Sequence, residues 1–242
     1  MKQRNVKYYL AASISLIPFF VYLSSLHNEF IMSWDDDLYV LNNPFITSLN
    51  PAFFKWAFFD FYAANWHPLT WLSHALDYAV WGLNPLGHHL TNNILHAVNT
   101  FLVVLLVVKL LEAASTSHDS RFTIHHSPFS ILHSPFTLIA AATTGLLFGL
   151  HPVHVESVAW VAERKDLLCA LFFLLSIMMY VKAQSAERRA QSDVQKESTP
   201  CAMRHALCAV PSHAPCALRS AFFAFVLACS ASRWRSPFPL FF

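Results

Sequence analysis

The chain has 242 residues, of which 55% are hydrophobic and only 12% are charged, about half the share of roughly 25% that is usual in soluble domains. A soluble fold of this size needs far more surface charge, so this composition excludes an ordinary soluble protein. The formal net charge is +2 and no basic stripe is interleaved with aromatic residues, which argues against a nucleic-acid partner. The sequence therefore indicates an integral membrane protein.

Four apolar segments are candidates for helices that cross the bilayer, which takes about 20 residues. They are residues 8–26, 89–111, 136–150 and 167–181. A fifth apolar fragment, residues 221–228, is too short to span alone. The predicted fold is all-α: a polytopic membrane bundle of about four transmembrane helices plus a partial fifth.

The distribution of lysine and arginine predicts which side of the membrane each loop occupies. With a cytoplasmic N-terminus, residues 28–88 and 151–166 lie outside and contain three basic residues, against ten in the inner segments up to residue 204. Basic residues precede the first span and no small-residue cleavage site follows it, which is typical of a retained signal anchor. We expect the N-terminus to be cytoplasmic.

Two stretches differ from this plan. Residues 113–136 are polar and repeat His-Ser-Pro-Phe at a spacing of seven, which indicates a low-complexity inner insert. From about residue 198 the composition changes again, and four of the five cysteines lie there without a CxxC pair to support a zinc site. We expect residues 184–242 to be a cytoplasmic segment and an aberrant or disordered tail.

The first outer segment contains a predicted amphipathic helix in the plane of the membrane interface. Its apolar residues recur at helical spacing along one face: Leu69, Leu72, Leu76, Ala79 and Leu83. The opposite face carries a polar row: His67, Thr70, His74 and Asp77. This row either lines a cleft above the membrane, with His67 and His74 contacting substrate, or is a solvated face.

The second span begins with a similar polar row, formed by His89, Asn92, His96 and Asn99. Polar groups at membrane depth are costly unless they pair or meet water, so the row should not face lipid. Packing between helices and the lining of a substrate channel are both open.

The acidic run Asp35-Asp36-Asp37 follows Trp34 about eight residues beyond the first span. Adjacent carboxylates repel one another, so a cation, an arginine or protonation should relieve them. At the membrane surface such a group can hold a metal ion or act as general base toward a hydroxyl. The alternative is a solvated acidic loop.

The second outer segment, residues 151–166, carries an apolar helical face formed by Val155, Val158, Ala159 and Ala162. Arg164 and Lys165 lie where the chain re-enters the membrane, which suits either a lipid-borne phosphate or an interfacial anchor. His151, His154 and Glu156 suggest zinc, as in a metal-dependent membrane hydrolase, but match neither HExxH nor HxxEH.

Several blocks together resemble a known family. They are Trp34-Asp35-Asp36 with Asn43, residues 65–74 (Asn-Trp-His-Pro-Leu-Thr-Trp-Leu-Ser-His), residues 88–92 (His-His-Leu-Thr-Asn) and residues 151–166. In this order they resemble the bacterial membrane proteins with tetratricopeptide repeats that are similar to the transmembrane and TPR-containing protein O-mannosyltransferases, of the GT-C class. The resemblance covers about residues 6–183, interrupted by the insert, and only the family's N-terminal part. It predicts a GT-C-like transmembrane module at residues 1–183.

This resemblance implies a bacterial inner-membrane enzyme that transfers a sugar from a polyprenyl-phosphate lipid to an extracytoplasmic acceptor, a protein hydroxyl. Asp35 and Asp36 match the family's acidic pair, so one of them is implied as catalytic base or acceptor-orienting group. Arg164 is implied as the donor-phosphate contact. The other residues implied in donor or substrate binding are Lys165, Asp166, Glu156, His151 and His154. No cofactor is implied with certainty, and a divalent cation stays open.

The chain departs from the family pattern at its C-terminal side. Family members continue through more spans into helical repeats, whereas residues 184–242 show no 34-residue periodicity. We therefore expect a truncated glycosyltransferase-like protein. The alternative is a non-catalytic membrane scaffold or remnant.

Overall fold

The computed structural model describes residues 5–118, residues 135–197 and Val226. Within these ranges the regular elements are helices, and the single β-bridge joins Tyr62 to Asn65, so the predicted all-α class is confirmed. The His-Ser-Pro-Phe repeat, the cysteine-rich tail and all but one residue of the fragment 221–228 lie outside the described residues.

Seven α-helices follow one another in the described residues: α1 Val6–Val21, α2 Pro51–Phe59, α3 Pro68–Trp81, α4 Pro85–His118, α5 Pro135–Leu150, α6 His154–Ala159 and α7 Arg164–Glu197. Short 3₁₀ or π-helical turns connect several of them. Proline occupies the first position of helices α2 to α5, where its missing N–H costs no helical hydrogen bond and its φ angle is already helical.

Three stretches are long and apolar enough to cross a membrane: Val6–His27, Pro85–Ala114 and Val161–Gln191. The shorter apolar helix α5 is a fourth candidate, so all four predicted spans correspond to helices. Two of these helices are longer than the sequence suggested. Helix α4 continues past residue 113, where the insert was predicted to begin, and α7 continues past residue 183 to Glu197.

Helix α4 is the centre of the bundle and packs against α1, α5 and α7. Lys7 at the start of α1 pairs with Glu112 near the end of α4 at 3.4 Å, so these two helices run antiparallel. Glycines bring α5 close to its neighbours. A Cβ atom on Gly145 would lie 2.4 Å from Val104 Cγ2 and 3.0 Å from Ile14 Cγ2, and one on Gly149 would lie 2.9 Å from the ring of Pro18.

The outer segments, residues 28–84 and 151–163, meet in one apolar core at the same end of the bundle. Its buried residues come from both segments: Phe30, Tyr39, Val40, Ile46, Phe53, Trp56, Ala57, Trp71, Ala75, Val161 and Ala162. Burial of this much aromatic and aliphatic surface supplies the main attraction that holds the two segments together.

Helix α3 buries its polar row and exposes its apolar face. The side chains of the polar row are at least nine-tenths buried: His67, Thr70, His74 and Asp77. Leu76 and Val80, by contrast, are 50% and 72% exposed. The solvated-face alternative is therefore wrong, because the polar row packs inward. An apolar outer face suits a helix that lies against the membrane interface.

The second outer segment is not one helix. Helix α6 ends at Ala159, Trp160 is extended (φ −102°, ψ 121°), and a 3₁₀ turn at Val161–Glu163 precedes α7. The predicted continuous helical face from Val155 to Ala162 is wrong, because the break at Trp160 turns Ala162 toward the first outer segment.

Replacing Gly145 with leucine should lower the stability of the bundle, because the added side chain overlaps Val104 and Ile14. Overpacking of this kind costs about 1–3 kcal/mol, so the midpoint of thermal unfolding in detergent should fall by several degrees. Thr143→Leu adds the same side chain at an exposed position of α5 and is the control. Equal midpoints for the two variants would contradict the close helix approach.

Candidate functional site

Asp36 joins the two outer segments. It is 1% exposed, and its carboxylate accepts hydrogen bonds from the backbone N–H of Ile31 at 3.0 Å and of Ala162 at 2.8 Å. Burial raises the pKa of Asp36, and the two backbone N–H groups partly oppose this shift. One hydrogen bond between residues 126 positions apart thus joins Asp36 to the turn that precedes α7.

Asp35, the residue before Asp36, is only half-buried. The negative charges of Asp35 and Glu163 both contribute to raising the pKa of Tyr39, after the larger effect of burial. Tyr39 is fixed by Asn65, whose side-chain amide donates to the phenol oxygen at 2.8 Å. Carboxylates from both outer segments therefore act on one tyrosine, and that of Asp35 is the more accessible of the Asp35–Asp36 pair.

Arg164 is completely buried, and its N–H groups donate to partners inside the protein. Its Nη1 pairs with Asp77 Oδ2 at 2.5 Å and its Nε donates to Asn92 Oδ1 at 2.8 Å. The other contacts are Ser73 Oγ at 3.2 Å and the backbone carbonyl of His88 at 2.8 Å. The guanidinium is therefore a brace between α3, α4 and α7, and its charge is met by Asp77.

Asp77 has a second partner in α4. Its Oδ1 accepts from Thr91 Oγ1 at 2.8 Å, and His88 Nδ1 lies 3.6 Å from its Oδ2. Sequence reasoning placed Asp77 in the polar row of α3 without pairing it to Arg164. The signal that could have found the pair is that Asp77 is the only acid in α3, on the same helical face as two histidines.

The polar row of α4 binds neighbouring backbone. Asn92 donates to the carbonyl of Trp160 at 3.1 Å and Asn99 to that of Leu167 at 2.9 Å. His96 Nε2 lies 2.9 Å from the carbonyl of Gly149. The carbonyls of Gly149 and Trp160 lie near a helix end and at a break, where such groups need partners at membrane depth, and that of Leu167 lies in the first turn of α7. The structure therefore uses the row for packing between helices.

His67 and His74 are fully buried, and neither ring nitrogen of either side chain has a hydrogen-bond partner among the described residues. Burial lowers the pKa of His67 to about 4, with a further contribution from the charge of Lys165. Burial also lowers the pKa of His74, and the nearby Arg164 charge acts in the same direction. Both imidazoles are neutral near pH 7.

The remaining residues from the sequence prediction lie along the second outer segment. His151, Glu156 and Asp166 are exposed, and His154 packs against Phe148 with ring centroids 4.6 Å apart. Burial lowers the pKa of His154. In the described ranges no three His, Cys, Asp or Glu side chains are grouped so that they could hold a metal ion, so His151, His154 and Glu156 do not form the zinc site of the hydrolase alternative.

Lys165 is also almost entirely buried, and its ammonium pairs with the carboxylate of Glu163. Asp35 and Glu163 both act on the pKa of Tyr39, whereas Arg164 is enclosed where α3, α4 and α7 meet. Asp166, in the first turn of α7, is exposed.

Asp77→Asn should strongly destabilise the protein, because it leaves the buried Arg164 guanidinium without a counter-charge. Removing one partner of a buried ion pair costs about 3–5 kcal/mol, measurable as a large fall in the thermal unfolding midpoint in detergent. Asp60→Asn, at an exposed position of the same segment, should change stability by about 0.5 kcal/mol or less.

The double variant Arg164→Met with Asp77→Asn should be more stable than Asp77→Asn alone, since it removes the unpaired charge. Arg164→Met alone completes the double-mutant cycle. If the stability losses of the two single variants add up to that of the double variant, the two side chains do not depend on one another.

Stability should decrease as the pH falls from about 6.5 toward 4. The pKa of His67 lies near 4 in the folded protein against 6.5 as its ordinary value, so the unfolded chain binds protons more readily in this interval. Each such group contributes at most about 1.4 kcal/mol per pH unit. His67→Gln should show a flatter profile of unfolding midpoint against pH, whereas His151→Gln, at an exposed ring, should keep the slope of the parent protein.

Curated proteins similar to this chain are named protein O-mannosyl-transferases. Tmtc1 of Drosophila melanogaster is 32% identical over 177 residues, which is 70% of this chain and 18% of that protein. TMTC4 of Homo sapiens is 32% identical over 185 residues, 72% of this chain and 22% of the relative. F38B6.6 of Caenorhabditis elegans is 32% identical over 179 residues, with 70% and 22% covered.

The chain thus spans about a fifth of the length of these relatives. No protein-family model matches it, and no solved structure does. Identity near 32% over most of the chain makes this protein a homologue of proteins named protein O-mannosyl-transferases.

Proposed function

We propose that the chain is a GT-C-like membrane module of the O-mannosyltransferase family, and that it transfers a sugar from a polyprenyl-phosphate donor to a hydroxyl of an extracytoplasmic protein. The proposal places the N-terminus in the cytoplasm and residues 28–84 and 151–163 outside. The relatives are named protein O-mannosyl-transferases, which supports this reaction class.

One observation carries the proposal: the bond from Ala162 N–H to Asp36. It anchors the acidic run of the first outer segment to the residues that lead into α7. The charges of Asp35 and Glu163 both act on Tyr39, which supports the proposal that Asp35 faces the point where the chain re-enters the bundle. A lipid-linked donor presents its phosphate and sugar at this level of the membrane.

The two aspartates have different parts in this proposal. Asp36 has both oxygens occupied by backbone N–H groups, so it positions the loop. Asp35 is the catalytic base: its carboxylate takes the proton of the acceptor hydroxyl, the hydroxyl oxygen bonds to the anomeric carbon, and the lipid phosphate leaves with the bonding electrons.

The leaving phosphate needs a positive charge near it. Arg164 was the sequence-based choice, but its guanidinium is enclosed and paired with Asp77. We assign the phosphate contact to Lys165, which exchanges Glu163 for the phosphate, and we give Arg164 the part of a positioning residue beneath it. His151 at the exposed edge offers a second donor, and a divalent cation would serve the same purpose.

A non-catalytic scaffold is the second candidate, and one observation favours it. The charge of Arg164 is balanced by Asp77 inside the protein, so a bound phosphate is not needed to balance it. In that case the outer segments supply contact surfaces only.

Asp35→Asn should lower sugar transfer to a peptide acceptor by about 10²–10⁴-fold, the usual contribution of general base catalysis. The assay uses the full chain in vesicles with a polyprenyl-phosphate hexose donor and measures labelled sugar on the acceptor. The thermal unfolding midpoint should be unchanged, because the half-buried Asp35 side chain is not one of the groups that hold the two outer segments together.

Asp37→Asn is the matched control, since Asp37 belongs to the same acidic run and its carboxylate contacts Asn42 at 2.7 Å. Its transfer rate should stay near that of the parent chain. Transfer by Asp35→Asn at the parent rate would reject Asp35 as the base, and absence of transfer by the parent chain would favour the scaffold.

A further inference from the structure

Trp34 is a large aromatic side chain that the fold leaves 62% exposed, immediately before the acidic run. Its backbone carbonyl accepts from Asp37 N–H at 3.1 Å, so Trp34 begins the same turn that carries Asp35 and Asp36. The position of its indole is therefore tied to the position of the carboxylates.

The residue before it is strained. Ser33 has φ +80°, a left-handed conformation that non-glycine residues seldom adopt and that costs of order 1–3 kcal/mol. Strain of this kind persists where the surroundings determine the backbone, and it concentrates at functional sites. Here it directs the chain so that Trp34 points outward while Asp36, two residues later, is buried.

Trp34 is also supported from the second outer segment. Its ring meets that of Trp160 edge-on, with centroids 5.4 Å apart and an interplanar angle of 69°. The Trp160 backbone is itself held by Asn92 at 3.1 Å. Trp160 thus supports the Trp34 ring on one side, and most of the Trp34 surface stays exposed.

An exposed indole one residue from a half-buried carboxylate matches the chemistry of a sugar ring. A pyranose has hydroxyl groups around its edge and C–H groups on its faces, and its faces pack on aromatic rings while its edge binds polar groups. Trp34 would supply the flat apolar surface, and Asp35 the neighbouring acceptor for a hydroxyl.

We propose that the exposed face of Trp34 is a stacking platform for a pyranose ring, placed beside Asp35 and supported by Trp160. The inference rests on the proposed function and adds the group that recognises the sugar. The ring comes from the lipid-linked donor or from a soluble glycoside, and the same surface serves either source.

Equilibrium binding to the full chain in nanodiscs tests this platform. The probes are a labelled polyprenyl-phosphate hexose, the same polyprenyl phosphate without sugar, and methyl α-D-mannopyranoside as a soluble competitor. Trp34→Ala should weaken binding of the hexose-bearing lipid about tenfold, which corresponds to about 1.4 kcal/mol, and leave binding of the bare lipid phosphate unchanged. Trp34→Phe should retain most of the affinity.

Phe59→Ala is the control, because Phe59 is 79% exposed at the end of α2. It should bind both lipids as the parent chain does. Displacement of the lipid-linked hexose by the soluble glycoside from the parent chain would show that the ring alone suffices. Trp34-dependent binding of the lipid-linked hexose without such displacement would assign the platform to the donor.

Equal weakening of both lipids by Trp34→Ala would overturn the proposal and make Trp34 a membrane anchor, and no weakening of either would overturn it as well. A thermal unfolding midpoint measured for each variant shows that a loss of binding is not a loss of fold, and Trp34→Phe supplies a second variant. Sugar-dependent binding without any transfer would reject the proposed reaction while supporting the platform.

Discussion

The structure depends on a buried charge pair. Arg164 and Asp77 are both at least nine-tenths buried, and each is costly to remove from water unless the other is present. The other donors of the guanidinium bind Ser73, Asn92 and the carbonyl of His88. Because these groups belong to three helices, the pair fixes where α3, α4 and α7 meet.

This brace explains how a loop far away in sequence is positioned. Ala162 lies two residues before Arg164, and its N–H binds Asp36. The brace therefore fixes the point at which the first outer segment attaches, and the attachment fixes the side from which Asp35 and Trp34 are approached. Support of this kind from buried, hydrogen-bonded groups holds a loop in one orientation relative to the helices.

The architecture could be predicted from the sequence because apolar length and helical spacing are local properties. The four spans and the interfacial helix α3 follow from them. What lies against each polar face is not local. Burial of the row from His67 to Asp77, like the brace to Arg164, depends on residues about 90 positions apart in the chain. The break at Trp160 was missed because Val155 and Ala162 fit a helical pattern, whereas tertiary contacts at Asn92 and Asp36 stabilise the extended residue between them.

The acidic run shows the same limit on a smaller scale. The sequence identified Asp35 and Asp36 as a pair without distinguishing them, because two adjacent aspartates fit the same motif equally well. Only the fold separates them, since one carboxylate binds backbone N–H groups and the other stays half-buried.

Helices α4 and α7 have 34 residues each, so at about 1.5 Å per residue each measures about 51 Å, against a hydrocarbon layer about 30 Å thick. Both begin at the end of the bundle where the outer segments pack, so their excess length emerges together on the opposite side. About 20 Å of each helix, on the side of His118 and Glu197, is therefore more than one crossing of such a layer needs.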